Sequence, residues 1–158
     1  MADIRKPLNS FNMTVVAGQI AEISAAGPES QTVMIVDDST DTVLPAYPVK
    51  LVPGASSVPL VDLAVPGTDP IYGIALFNPK YSSWVAKDIL QVTCRDAVIY
   101  MISDDDFDRG TKVGLDPTTY KLIAATPTNY IGDLLDDAVG DEIARVEIRV
   151  PAGTAPTS

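Results

Sequence analysis

Three aspartates at alternate positions, Asp104, Asp106 and Asp108, followed by Gly110, come nearest to a recognisable chemical site in this chain. Alternating oxygens and a glycine are what a calcium loop is built from. Such a loop needs its glycine at the sixth place and a bidentate acid at the twelfth. Counted from Asp104, those places hold Arg109 and Leu115, so the segment reads as a solvated acidic turn. A second group, Asp136, Asp137, Asp141 and Glu142 around Gly140, could do acid–base work only if burial drove its pKa values apart. Four carboxylates in a turn-like stretch are more simply a solvated surface. Asp38-Ser39-Thr40 lacks the glycine of an aspartic-protease loop, and no glycine-rich phosphate loop of either common spacing occurs.

The rest of the chemistry is bounded by what the chain lacks. It has no histidine, which removes the usual general base at neutral pH, the Ser–His and Cys–His pairings and the commonest metal ligand. Its one cysteine, Cys94, cannot form an internal disulfide and continues the alternating run Leu90, Val92, Cys94 as a small core residue. No catalytic residue, metal site or cofactor is expected. A net charge of −10 argues against nucleic acid, whose backbone is gripped by clustered Lys and Arg. The six tyrosines are scattered, without the basic neighbours of a stacking platform. No run approaches the ~20 apolar residues of a spanning helix, and the N-terminus lacks a signal-peptide core. A soluble protein made in a cytoplasm, with no membrane partner, is the expectation.

What must position these residues is a β-structured body. The 158 residues, 46% of them hydrophobic, suffice for one domain with a real core, while 13 prolines and 10 glycines imply many turns. Residues 97–102 and 111–117 read as two strands around the acidic turn, and 130–134 and 143–150 as two more around Gly140. Residues 19–25 alternate, and 31–36 form a dense β-branched strand. The prolines of Thr42 to Val52 make it an edge strand or an extended connection. Residues 53–70 form a long irregular loop with at most a short strand from Val58 to Val65. Ile89 to Ile102 reads as one long or kinked strand, and Asp133 to Val139 is the best helix candidate. Alternation assigns Val33, Ile35, Ile74, Leu76, Val92, Cys94, Val98, Val113, Val146 and Ile148 to the core. A weak echo links Tyr72 to Leu76 plus Asp88 to Arg95 with Tyr130 to Leu135 plus Asp141 to Arg149. Because the loops between differ in length, it reads as a recurring hairpin in one barrel.

The expected fold is therefore mainly β, a small antiparallel β-barrel or sandwich with an extended N-terminal arm. Residues 1–17 are the arm, 18–151 a single β domain and 152–158 a flexible C-terminal tail. The arm is locally basic and apolar (Ile4, Arg5, Lys6, Leu8, Phe11) while the rest of the chain is acidic. Tails rarely carry that much apolar surface unless something covers it.

Three stretches of the C-terminal half resemble tailed-bacteriophage capsid decoration (cement) proteins. They are Tyr72-Gly73-Ile74-Ala75 re-entering a strand after a loop, Arg109-Gly110-Thr111-Lys112-Val113 before Leu115-Asp116-Pro117, and Ile131-Gly132 followed by Gly140-Asp141 and the strand from Ile143 into Pro151. The resemblance implies a small β-barrel or sandwich on the outside of a capsid lattice, often dimeric or trimeric at symmetry axes, with arms clamping neighbouring major capsid subunits. It brings no catalytic residues. The expectation is a structural virion protein on the outer capsid surface, assembled in the host cytoplasm. Its partners would be the major capsid protein and itself, as a homodimer or homotrimer. Ile4, Arg5, Lys6, Leu8 and Phe11 are the capsid-interface candidates. The alternative is a carbohydrate-binding or adhesive β-sandwich module of a virion or cell surface. That reading expects exposed aromatics along one sheet face, for which Trp84 with Tyr81 offers a start. A third class, an enzyme subunit completing an active site in an oligomer, has the missing histidines against it.

Overall fold

A computed structural model describes residues 16–22 and 30–150. Every regular element among them is a strand, eleven in all. Short β-branched runs punctuated by proline, glycine and aspartate can bury one face each but cannot sustain a helical stripe. Strands β2 (Ser30–Ile35), β3 (Pro48–Leu51), β4 (Leu60–Leu63), β5 (Gly73–Ala75) and β6 (Ile89–Thr93) close into a barrel in the order β2-β4-β3-β5-β6. Strand β1 (Ile20–Glu22) joins β7 (Val98–Ile102), β8 (Lys112–Leu115), β9 (Leu122–Ala124), β10 (Tyr130–Leu134) and β11 (Ile143–Ile148) in a six-stranded sheet, ordered β1-β7-β11-β10-β8-β9. The fold is mainly β, as expected. All pairs are antiparallel except β2 with β4, which runs parallel.

The far end of the sheet also returns on itself. A parallel bridge joins Ser103, just past β7, to Leu122 of β9. Strands β7 to β11 thereby form a second five-membered ring, β7-β11-β10-β8-β9, back to β7. Lettered in chain order, both rings run first-fifth-fourth-second-third, and in both the first-to-third contact is the parallel one.

The equivalence holds bond by bond. Ile35 N–H donates to Asp88 and Lys87 N–H to Ile35, each at 2.9 Å; in the second ring Ser103 N–H donates to Glu142 (2.9 Å) and Asp141 N–H to Ser103 (2.8 Å). Val36 N–H reaches Val61 C=O as Asp104 N–H reaches Leu122 C=O, both at 2.9 Å. Ala46 N–H bonds Ala75 and Gly110 N–H bonds Leu134, both at 2.8 Å. Val43 exchanges hydrogen bonds with Trp84 as Phe107 does with Ala138. Turns match too: Ala46 and Gly110 have φ of 72° and 90°, Lys87 and Asp141 of 71° and 64°. The echo between Tyr72 to Leu76 and Tyr130 to Leu135 is thus one hairpin occurring in each of two rings, which corrects its reading as a recurring hairpin in one barrel.

All ten core assignments are buried. Val33, Ile35, Val49, Val61 and Val92 fill the first ring around Trp84. Ile99, Met101, Val113, Leu122, Ile131, Val146 and Ile148 fill the second, in a cluster that also takes Ala64, Ile71, Ile74 and Leu76 from the first half. One apolar layer therefore cements the rings together.

Three local expectations are corrected. Ile89 to Ile102 is two strands in two rings. The buried positions Leu90, Val92 and Cys94 are followed by Ala97, Ile99 and Met101, so the alternation slips by one residue at Arg95-Asp96. Asp96 there has φ 72° and donates its N–H to Ile148 C=O (2.9 Å). The segment from Thr42 to Val52 is no edge: β3 lies between β4 and β5, and Pro48, its first residue, needs no outward donor. Asp133 to Val139 is not helical; Asp133 and Leu134 end β10, and the turn after them brings Ala138 back to Phe107.

Gly73 and Gly132 occupy one position of the repeat. A Cβ on Gly132 would stand 2.1 Å from Glu147 C=O, and one on Gly73 2.8 Å from Thr93 C=O. Both rings close at a point where the backbone leaves no space for a methyl group. Replacing either glycine by alanine should lower stability by about 1–3 kcal/mol, with Gly132→Ala the worse, measured by urea unfolding. Val146→Asp, which puts an unpaired charge in the core, should cost several kcal/mol and a corresponding loss in Tm.

Candidate functional site

Ile4, Arg5, Lys6, Leu8 and Phe11 lie outside the described residues, as does the tail 152–158. Of the stretch expected as an arm, only Val16 and Ala17 are described. Val16 and Ala17 line an apolar groove of about 410 Å³ at the junction of the two rings, with Leu44, Tyr47, Phe77 and Tyr120 among its other walls. Tyr47 and Tyr120 stack at 4.2 Å with 26° between their planes, one ring contributing each tyrosine. Burial pushes the Tyr120 phenol up from its ordinary range, helped by Tyr47 and by the charge of Asp41. Phe77 keeps 37% of its surface exposed at the rim. Gly18, with φ 85°, then turns the chain into β1 and donates its N–H to Tyr100 C=O (2.8 Å).

The groove was not legible in the sequence. Tyr47 and Tyr120 stand in separate loops, and only the return of β9 onto β7 brings the second ring's loop against the first.

The acidic residues serve as turn architecture. Asp106 Oδ1 accepts the Gly140 N–H (2.9 Å), Asp137 Oδ1 accepts the Arg109 N–H (2.8 Å), and the bridge between Phe107 and Ala138 lies between them. Two loops far apart in sequence are thereby tied at one end of the second ring. Among the described residues no three Asp, Glu, Cys or His side chains converge as metal ligands would. Asp141 pairs with Lys121 (2.6 Å), whose ammonium is held above its usual pKa by that bond. The carboxyls of Asp69, Asp116 and Asp136 all sit below their ordinary range. A carboxylate held ionised is a fixed acceptor, the opposite of a poised general acid.

Asp136 is the clearest case. Its carboxylate takes Arg145 Nε (2.9 Å), Arg145 Nη2 (2.7 Å) and the Arg145 backbone N–H (3.2 Å). The guanidinium bond is the largest cause of the lowered pKa. At the start of β10, burial and the hydrogen bond to Asp133 push the Tyr130 phenol up to about 12.

Cys94 is buried, its Sγ 3.5 Å from Tyr72 C=O. Trp84 is only 2% exposed and packs in the first ring's core, which takes it away from any sugar-stacking face. Tyr81 remains, 49% exposed, with the Lys80 ammonium 5.5 Å from its ring centre.

Two outcomes follow from these acids. Because the Asp136 pKa is depressed in the folded state, its contribution is present above the unfolded carboxyl pKa and is lost as pH falls through the folded one. Asp136→Asn should therefore lower Tm by a few degrees at pH 7, about 1 kcal/mol for a partly exposed pair. The gap to the parent should close below about pH 4 in a pH series of melts. Chelator treatment should leave Tm unchanged, since Asp104, Asp106 and Asp108 have no convergent geometry.

No family model matches this sequence, and no curated protein matches it either. Among solved structures, the chain is similar to the N-terminal base of the head fiber protein gp8.5 of bacteriophage phi29. The superposition has a TM-score of 0.51 at 14% identity and covers 77% of this chain and 93% of that one. That share is larger than either ring alone supplies, so the likeness in fold runs across both.

Proposed function

We propose that this chain is a structural protein of a phage virion, bound to the outer surface of the capsid, where it stabilises contacts between major capsid subunits. The observation that carries the reading is the likeness in fold to a phage head fiber base, spanning both rings. The carboxylates of the body fit a structural role, since those of Asp69, Asp116 and Asp136 are held as fixed acceptors in and beside turns. The acidic body faces solvent and stays soluble at high local density, while residues 1–17 supply the grip. Ile4, Leu8 and Phe11 are the apolar anchors, and Arg5 and Lys6 meet acidic capsid surface. Many moderate contacts on a symmetric lattice multiply through effective concentration, so a weak single grip suffices. The partners are the major capsid protein and other copies of this chain, as a homodimer or homotrimer, with no enzymatic step.

The carbohydrate-binding or adhesive alternative loses its tryptophan to the core and keeps Tyr81 alone of its two aromatics.

The test is decoration of capsids that lack this protein. The full chain should bind and raise the capsid's resistance to heat or chelator stress. A truncation beginning at Gly18 keeps the hydrogen bond from Gly18 to Tyr100 and should still fold. It should bind at least about tenfold more weakly, because a few buried anchors dominate such interfaces. Neutralising surface aspartates should matter far less. If the truncated chain decorates as well as the full one, the arm is not the grip, and the loops at 53–70 and 78–87 take its place. Failure of the full chain to bind any capsid would sink the virion reading itself.

A further inference from the structure

The two rings differ at one backbone edge. In the second ring, the N-terminal half of β7 is covered on its outer side by β1: Tyr100 N–H donates to Gln19 C=O (2.9 Å) and Tyr100 C=O accepts from Gly18 (2.8 Å). The same position in the first ring is Thr32 of β2, since Thr32 pairs with Gln91 as Tyr100 does with Arg145. Nothing among the described residues covers it. The parallel pairing of β2 with β4 spans Met34 and Ile35 only. Met34 N–H reaches Pro59 C=O (3.0 Å), and a continued ladder would next require Pro59 to donate to Thr32 C=O. Proline has no N–H, so the ladder stops there.

Alternation along β2 points the backbone groups of Gln31, Val33 and Ile35 at β6, and those of Ser30 and Thr32 away from it. Ser30, Gln31 and Thr32 are all exposed. Soluble proteins usually blunt such an edge with Lys, Pro or a bulge. Here none of Ser30, Gln31 and Thr32 or their cross-strand partners Gln91, Val92 and Thr93 carries a charge, in a chain of net charge −10.

We propose that Ser30–Thr32 is a strand-addition edge that pairs antiparallel with the same edge of a second copy of this chain, about a twofold axis at Gln31. The outward groups match themselves in reverse. Ser30 of one copy faces Thr32 of the other in a hydrogen-bonded pair, and Gln31 faces Gln31 in the close pair between. The uncharged stretch is what lets two acidic molecules approach there. A three-residue ladder is a weak contact, gaining only about 0.5–1.5 kcal/mol per hydrogen bond against the cost of association, so it matters at high local concentration. The pairing does not depend on what the arm binds.

The test is sedimentation equilibrium of the full chain up to millimolar concentration, with charges placed on the axis. The parent should dimerise reversibly. Gln31→Lys and Gln31→Glu, each set opposite its own copy, should each weaken dimerisation at least about fivefold. An equimolar mixture of the two should restore it as a heterodimer. Thr32→Pro removes an outward donor and keeps the backbone ladder to β6, losing only the bond from Gln91 Nε2 to Thr32 Oγ1 (2.6 Å), and should also weaken dimerisation. The Gln31 variants lose the bond from Tyr72 OH to Gln31 Oε1, and Gln31→Ala, which loses it without adding charge, should dimerise as the parent does. A parent that stays monomeric at millimolar concentration, or a Gln31→Lys chain that associates as the parent does, overturns the proposal. So does a mixture no tighter than the single variants.

Discussion

The structure depends on one ladder made twice: the antiparallel pairing of the first strand of each ring with the fifth. Ser30 to Met34 lie against Ile89 to Thr93, and Val98 to Ile102 against Ile143 to Glu147. These are the longest registers in the molecule, and they close rings whose remaining strands are three to five residues long. Short strands of that kind are marginal alone. Closure gives each a neighbour on both sides and encloses the valine, isoleucine and leucine side chains that make up the cores. The cost is that the closing contacts are far apart in sequence, so loop entropy must be overcome before they form. The parallel contact beside each ladder, Ile35 with Val61 and Ser103 with Leu122, locks the first strand in place.

Given that frame, the acidic residues have a second role besides solubility. Side-chain acceptors fix the loops: Asp106 and Asp137 at one end of the second ring, Asp116 capping the Thr118 and Thr119 amides, Asp69 holding Val65 N–H and Lys50. Each removes an orphan backbone donor that a tight turn leaves behind. In the Asp-rich turn that resembles a metal loop in sequence, Asp106 is such a device, its carboxylate taking the Gly140 N–H.

Alternation made the cores legible, because a strand half buried in a ring must write period two into its residues. Val33 with Ile35 and Val146 with Ile148 show this. The hairpin echo was also legible, since Gly73 and Gly132 answer the same close approach to a carbonyl. The slip at Arg95-Asp96 was in the sequence, as a change from even to odd buried positions, but it looks like a kink unless the second ring is known. Partner choice was not legible at all. Nothing in Met34 or Ile35 says that β4 will pair with them in parallel, or that β3 will lie inside a barrel, because period two fixes a face and never a neighbour. The groove between the rings depends on that pairing and was hidden with it.

The two rings share their bonds and differ in their surfaces. Between the fourth and fifth strands the first ring carries a longer loop, with Trp84 plugging its own core and Tyr81 outside, where the second has a short turn ending in Ala138. At the position of Lys87 the second ring has Asp141, bonded to Lys121. The open edge of the first ring corresponds to one that β1 covers in the second. A single ring would have to use one surface both to hold itself together and to meet a partner. In the tandem, the apolar faces that hold the rings together meet at their junction, around Ile74, Leu76 and Ile99, which leaves the outward side chains of the first ring's loops, such as Tyr81, and one of its strand edges outside the packing. On the proposed role in a virion coat, those are the surfaces free to specialise, because neither ring needs them to stay closed.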